Sequence, residues 1–562
     1  LFPINELVKL AAKAPNGRVS IVAHSNGGLL AKAMLQALEK RCADEQLDPC
    51  PLSYVDQVIF LGTPQLGTPA AINRTLHGLS GLSVPERLVL APARYRAAVR
   101  NMPGANALLP GEAYFDSVSG PLITFTGTGQ YLSDVGALYP NGIRTVSQLQ
   151  DFLSGAEGRL APRDADLEEP AILNEFIVRQ GLESINNLSG YEIPESIAVT
   201  EIVGVGVLTN AATEYDSVLE RQCRPGAGCA VATQLTRVRP IMGLYGDETV
   251  MALSAAGYQG EKVTYYVDLQ VYNEIAIKDP DDQVRFASHA NLSEPTDIQD
   301  LIFSLISSSS PASSAYVSSQ LPEYEGESFD GISTHSPVTL IAEDVSGNRT
   351  GVTINSENDQ YILEEIPGSS FFMIGSSSYL YIPSDIEYDV LIKGYAAGSF
   401  SLILEEVIEG SEQQIRFRAE NISSDANTVA RFEKTASGFS DLSLDFDNDG
   451  VTDEVRTLDG ILIVDEAIDI APDQLADSTR NTNDTSSGAS ATRIDDRQPN
   501  PQVLGVGTSV DLPYEQQVLM DQLLVNIKNL INSTEMTSAE IDQLAVILHE
   551  ANNIIMTRLP LQ

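Results

Sequence analysis

The first 320 residues switch repeatedly between two hydrophobic rhythms. Short apolar runs rich in β-branched residues, VSIVA at 19–23, VDQVIFLGTP at 55–64 and AVTEIVGVGVLT at 198–209, have the length of strands buried on both faces of a parallel sheet. The stretch 26–40 and DIQDLIFSLI at 297–306 space their apolar residues as amphipathic helices do, and KVTYYVDLQVY at 262–272 alternates like a further strand. This pattern predicts an α/β domain over 1–320 with a mostly parallel sheet. A long insertion at about 70–195, with helical pieces such as PERLVLAPARYRAAVRNM, stands where a lid is expected.

From about 325 the rhythm changes to short alternating strands, among them PVTLIAEDVSG, YDVLIKGY, GSFSLILEEV and QQIRFRAEN, which predict a β-sandwich over 325–466. Residues 467–510 are polar and poor in apolar side chains, the composition of a disordered linker. Beyond it, apolar residues at 519, 520, 523, 524, 527 and 530, and a capping-box spacing of Thr537 and Glu540, predict a helical hairpin over 511–562.

At 562 residues the chain is long enough for several cores, and its formal net charge of −43 narrows its partners. Such a surface repels phosphate backbones and anionic headgroups, which argues against nucleic-acid binding and against a polybasic membrane dock. No apolar run reaches the length of about 18 residues that a transmembrane helix needs. The four cysteines fall into two local pairs, Cys42 with Cys50 and Cys223 with Cys229, each bracketing a turn-rich segment that a disulfide can staple. If those bridges form, the protein is expected to work outside the reducing cytoplasm, extracellular or at the cell surface. The alternative is four free thiols; no histidine cluster accompanies them to make a zinc site.

The candidate chemistry starts at RVSIVAHSNGG, where a strand runs through a tight turn into a helix with Ser25 at the corner. Taken alone, the turn serves either as an ordinary helix start or as a nucleophile elbow, in which Ala23 and Gly27 would be the small flanking residues. A serine nucleophile needs a histidine to take its proton and a carboxylate to orient that histidine. Of the five histidines, His24 is expected to leave the corner in another direction, His77 follows the second strand too closely, His335 lies in the sandwich and His549 in the tail. His289 remains, after the last predicted strand, and Asp247 follows Gly246 in a turn after an apolar run. The order Ser25, Asp247, His289 is serine, acid, histidine.

Together AHSNGG, FLGTPQLGTP, NMPGANALLPGEAYF, YGDETV and SHANL resemble the lipase and esterase branch of the α/β-hydrolase superfamily that includes lecithin–cholesterol acyltransferase-like and GPI inositol-deacylase-like enzymes. The resemblance covers residues 1 to about 310. It implies Ser25 as nucleophile, Asp247 as acid, His289 as base, and an acyl-enzyme formed on an ester or lipid substrate without a catalytic cofactor. The oxyanion-hole amide after the nucleophile is that of Asn26. The departure from the family is at the start: only some 18 residues precede the elbow, where the fold usually supplies four strands and a second oxyanion amide. The expectation is a piece of a longer precursor, inactive and poorly soluble alone, with strand 19–23 left as an unpaired hydrophobic edge.

A second signal is LDFDNDGVTDEV, where Asp445, Asp447, Asp449 and Asp453, with the carbonyl of Val451, stand at the ligand positions of a calcium loop that turns at Gly450. Position 12 is Arg456, and the flanks read as strands, so the loop is unlike an EF-hand and a structural Ca2+ is expected. The alternative is an acidic hairpin turn that holds no ion. As a whole the chain reads as an exported serine esterase, with cell-surface association through the sandwich or the helical hairpin. The competing reading is a non-catalytic surface or adhesion protein on a hydrolase-like scaffold.

Overall fold

A computed structural model of the chain describes residues 2–458, except 81–95, 98, 160, 163–166, 221–222, 225–227, 230–231, 279–285, 336, 355–359 and 412. The linker and helical hairpin expected over 467–562, His549 included, lie outside the described residues. Five strands make the first sheet: β1 (Val19–His24), β2 (Val55–Leu61), β3 (Ala198–Val205), β4 (Val263–Asp268) and β5 (Val317–Ser318), side by side in that order. The first four are parallel, pairing His24 with Leu61, Leu61 with Ile202 and Tyr265 with Ile202; β5 runs antiparallel to β4.

The two-residue period of β2 sorts its side chains into two cores. Val58 and Phe60 pack with Leu35 and Leu38 of helix α1 (Asn26–Glu45), while Ile59 and Leu61 pack with Leu292 and with Ile298 and Leu301 of helix α3 (Thr296–Ile306). The sheet is therefore covered by helices on both faces. Among the described residues β1 pairs with β2 alone, so it forms an edge, and its Val22 is 45% exposed.

Two expected strands end differently. The alternation over 262–272 stops at Asp268, whose Oδ1 accepts the N–H of Val271 and starts helix α2 (Leu269–Lys278). The run 198–209 breaks at Gly206, with φ +88°, and the chain re-emerges as one strand of a long hairpin, Thr209–Glu220 against Thr233–Gly243.

The described part of the insertion expected as a lid, most of PERLVLAPARYRAAVRNM lying outside the described residues, packs as a helical layer. Leu109, Ile123, Ile143, Leu149 and Phe152 are fully buried in one core with Tyr215 and Val238 of the hairpin and Tyr379 and Tyr381 further along the chain. Those last two belong to a β-sandwich whose first sheet contains Ser328–His335, Ser370–Ile374, Ser377–Pro383, Gly398–Ile408 and Gln414–Ser424, and its second Val338–Asp344, Tyr388–Gly394 and Val429–Thr435. Ile332, Leu402 and Leu404 of the first sheet meet Leu340, Ile392 and Phe432 of the second across an apolar core.

The outer face of the first sheet lies on the hairpin through a buried ionic seam. Glu405 Oε1 accepts from Arg237 Nη2 at 2.8 Å and Arg239 Nε at 3.0 Å, and Arg418 Nη2 reaches Asp216 at 2.5 Å. Arg239 also pairs with Glu214 at 2.5 Å, and His335 Nδ1 meets Glu220 at 2.6 Å. The sandwich is thus joined to the α/β half by groups that sequence polarity alone assigns to the surface.

Candidate active site

β1 delivers the chain to Ser25, whose φ of +55° lies in the left-handed region that side chains other than glycine rarely adopt. The corner is held because Ser25 N–H donates to the Leu61 carbonyl at 2.9 Å, locking it to the end of β2, and because α1 begins at the next residue. Steric demand falls on Gly28, not on the expected Gly27. A Cβ on Gly28 would sit 2.1 Å from Thr63 Oγ1, whereas Gly27 faces open space. The half-buried Asn26 is the first residue of α1, so its backbone N–H has no acceptor within the helix.

Asp247 and His289 come from loops beyond β3 and α2 and meet over Gly62. Asp247 is fully buried; its Oδ1 accepts from the N–H groups of Thr249 and Val250 at 3.2 and 2.8 Å. Its Oδ2 lies 2.7 Å from His289 Nδ1, and His289 Nε2 lies 2.7 Å from Ser25 Oγ. A carboxylate accepts, so Nδ1 carries the proton and Nε2 is the acceptor for the serine hydroxyl. The backbone repeats the link, since His289 N–H donates to the Asp247 carbonyl at 2.7 Å. A Cβ on Gly62 would stand 2.9 Å from Asp247 Oδ2 and 3.2 Å from His289 Nδ1, so only glycine lets β2 pass beneath the pair. Burial alone would lower the His289 pKa, but the charge and hydrogen bond of Asp247 outweigh it and raise the pKa above the ordinary 6.5.

The structure therefore brings Ser25, His289 and Asp247 into one hydrogen-bonded line. A hydroxyl on a strained corner, an acceptor nitrogen and a buried carboxylate together can deprotonate the hydroxyl as it attacks and hold the resulting imidazolium.

The other histidines find different places. His77 is a buried core residue, bonded to the Leu167 carbonyl and the Tyr215 hydroxyl at 2.7 Å each, and burial pushes its pKa down to about 3. His24 does not turn away from the site as expected: its Nε2 is 2.7 Å from the carbonyl oxygen of His289. No sequence signal marks that contact, because it joins residues distant in the chain.

Cys42 and Cys50 form a disulfide between the end of α1 and the turn before β2. Cys223 and Cys229 face each other across a short antiparallel ladder; their side chains lie outside the described residues. In the acidic loop, carboxylate oxygens of Asp445, Asp447 and Asp453 lie within 4.8 Å of one another. Asp449 lies outside that group; like the other three it accepts a backbone N–H, that of Val451, which is 63% exposed, and the loop joins two antiparallel strands. The residues brought together are hard oxygen donors of the kind calcium takes.

No protein-family profile and no curated protein matches the sequence. Solved structures with some likeness include the Tle4–Tli4 complex, at 14% identity and a TM-score of 0.24 over 38% of this chain. The match spans 42% of that structure's chain, less than half its length. Bacillus licheniformis lipase BlEst2 in its propeptide form matches at 9% identity and a TM-score of 0.22, over 80% of this chain and 83% of that one. The functional reading below rests on the geometry of the site and not on these likenesses. Among the described residues no helix is long and apolar enough to cross a membrane.

Proposed function

We propose that the chain is a serine hydrolase of the α/β-hydrolase type that cleaves carboxylic esters. The observation that carries this is the continuous path from Ser25 Oγ through His289 to Asp247, 2.7 Å at each step, on a left-handed corner at the end of a parallel strand. In this reading Ser25 Oγ attacks the ester carbonyl while His289 Nε2 takes its proton, and Asp247 stabilises the imidazolium. The oxyanion sits against the N–H of Asn26 at the positive end of α1. Collapse of the tetrahedral intermediate breaks the ester C–O bond, and the alcohol leaves with the proton from His289. Water, deprotonated by the same imidazole, then releases the acid from Ser25. The substrate is an ester or lipid, and the Cys42–Cys50 bridge favours work outside the cytoplasm, in the extracellular space or at a cell surface. Any surface-binding role of the sandwich would fall to its second sheet, since the first is occupied by the hairpin.

The test is a fluorophosphonate probe, with the modified peptide identified by mass spectrometry. Labelling at Ser25 that vanishes in Ser25→Ala and His289→Ala supports the enzyme. A wild-type chain that takes no label, or takes it elsewhere, supports the non-catalytic scaffold instead.

A further inference from the structure

We infer that His24 is a positioning residue for the general base, its Nε2–H holding the carbonyl of His289 at 2.7 Å and so fixing the loop that carries the catalytic imidazole. The inference rests on the triad reading above and adds a fourth side chain to it. A carbonyl oxygen only accepts, so the proton of His24 must be on Nε2. His289 is then tied at every polar point. Its N–H goes to the Asp247 carbonyl, its Nδ1–H to the Asp247 carboxylate and its carbonyl to His24, leaving Nε2 for Ser25.

The two bonds that tie His289 to the elbow come from adjacent residues. His24 is the last residue of β1 and Ser25 the corner that follows, so one backbone bend sends the hydroxyl to the imidazole and the neighbouring ring to that imidazole's own backbone. Any slide of the His289 loop along the elbow breaks both. Without His24 the loop keeps the Ser288–Asn291 capping box, the two bonds between Asn273 of α2 and the backbone of Ala287, and the packing of Leu292 under β2, but loses its bond to β1.

The ring suits the task in charge as well as reach. Burial, together with neighbouring His289, keeps the pKa of His24 below the ordinary range, so it donates as a neutral group. Neutrality matters because the rings are 5.0 Å apart and His289 becomes an imidazolium in each half-reaction. A second cation at that distance would oppose the proton transfer.

The experiment measures saturation kinetics of fluorophosphonate labelling for the full-length chain, His24→Ala and His24→Gln. In His24→Ala the maximal labelling rate should fall about 10- to 100-fold, the scale of a small misplacement of a reacting group, with the half-saturating probe concentration unchanged. His24→Gln, whose carboxamide N–H reaches about as far, should restore most of that rate. If His24→Ala does not fold, 15N spectra of the histidines in the wild-type chain decide the matter: the Nε2–H tautomer at His24 supports the assignment and the Nδ1–H tautomer overturns it. Equal rates in wild type and His24→Ala overturn this inference alone, as does an equal loss in both variants. A wild-type chain that does not label at all overturns the triad reading, and this inference with it.

Discussion

Glu405 is the residue whose loss should most disturb the joint between the two halves. It is 4% exposed and receives two guanidinium groups, Arg237 and Arg239, each 1% exposed. The arginines are fully answered: Arg237, Arg239 and Arg418 face Glu405, Glu214, Asp216 and Glu420. Glu405→Gln keeps the shape, removes one negative charge and leaves Arg237 with only Asp216, at 3.7 Å. Breaking a buried pair from one side costs about 3–5 kcal/mol, because the partner charge stays desolvated. Arg237→Met added to Glu405→Met removes both charges of the pair together, so the double variant should be more stable than the sum of the two single changes by about 1–3 kcal/mol. Thermal melting of the five proteins, wild type, Glu405→Gln, the two single methionine variants and their double, read alongside trypsin cleavage between the halves, measures both quantities. A Glu405→Gln chain that melts with the wild type, or strictly additive single changes, would show that the seam carries no such energy.

Gly28→Ala should abolish both folding of the elbow and probe labelling, since its Cβ collides with Thr63; adding Thr63→Gly, which removes the three atoms within 2.8 Å, should recover labelling, and failure to recover refutes the steric account. Because His289 must be neutral to accept a proton and its pKa is raised, ester hydrolysis should climb with pH through a midpoint above 6.5; a midpoint below that value contradicts the role of Asp247. His335 runs the other way in stability. Burial would lower its pKa, but Glu220 and Glu168 raise it to about 9 in the fold, so its contribution is whole below the unfolded value and fades as pH rises through about 9. The contribution is at most about 3 kcal/mol, and a His335→Gln chain should lack this alkaline loss in melting scans. Calcium should raise the melting temperature of the wild-type chain but not of Asp445→Asn/Asp447→Asn, and chelator should reverse the gain; identical responses would dismiss the loop as a cation site.

The α/β half was readable because its strands are buried on both faces and so appear as bare apolar runs, as in VDQVIFL. Ser25, Asp247 and His289 were readable by their order in the chain and the local turn at each. The hairpin Thr209–Glu220 and Thr233–Gly243 was not. It buries Glu214, Asp216, Arg237 and Arg239 against one another and against Glu405 and Arg418 of the sandwich, and a polar strand of that kind looks solvated until its counter-charges are known. The strand ending at Asp268 failed for a local reason, since a capping carboxylate turned an alternating run into a helix. Gly28 went unremarked and His24 was expected to point elsewhere because their constraints, Thr63 and the His289 carbonyl, arrive through tertiary contact.

The ladder between Ser80 and Met373 sets a timetable for biosynthesis. At about 5–20 residues per second, a ribosome releases the first partner of this ladder some 15–60 s before the second. Once the hairpin Thr209–Glu220 and Thr233–Gly243 has been made, the nascent amino-terminal half carries Arg237 and Arg239 without Glu405, and the aromatic layer around Tyr215 without Tyr379 and Tyr381, a natural client for a holdase chaperone. Expression of a shortened gene that stops before the sandwich should leave it in that state permanently, and the harvest should be inclusion bodies.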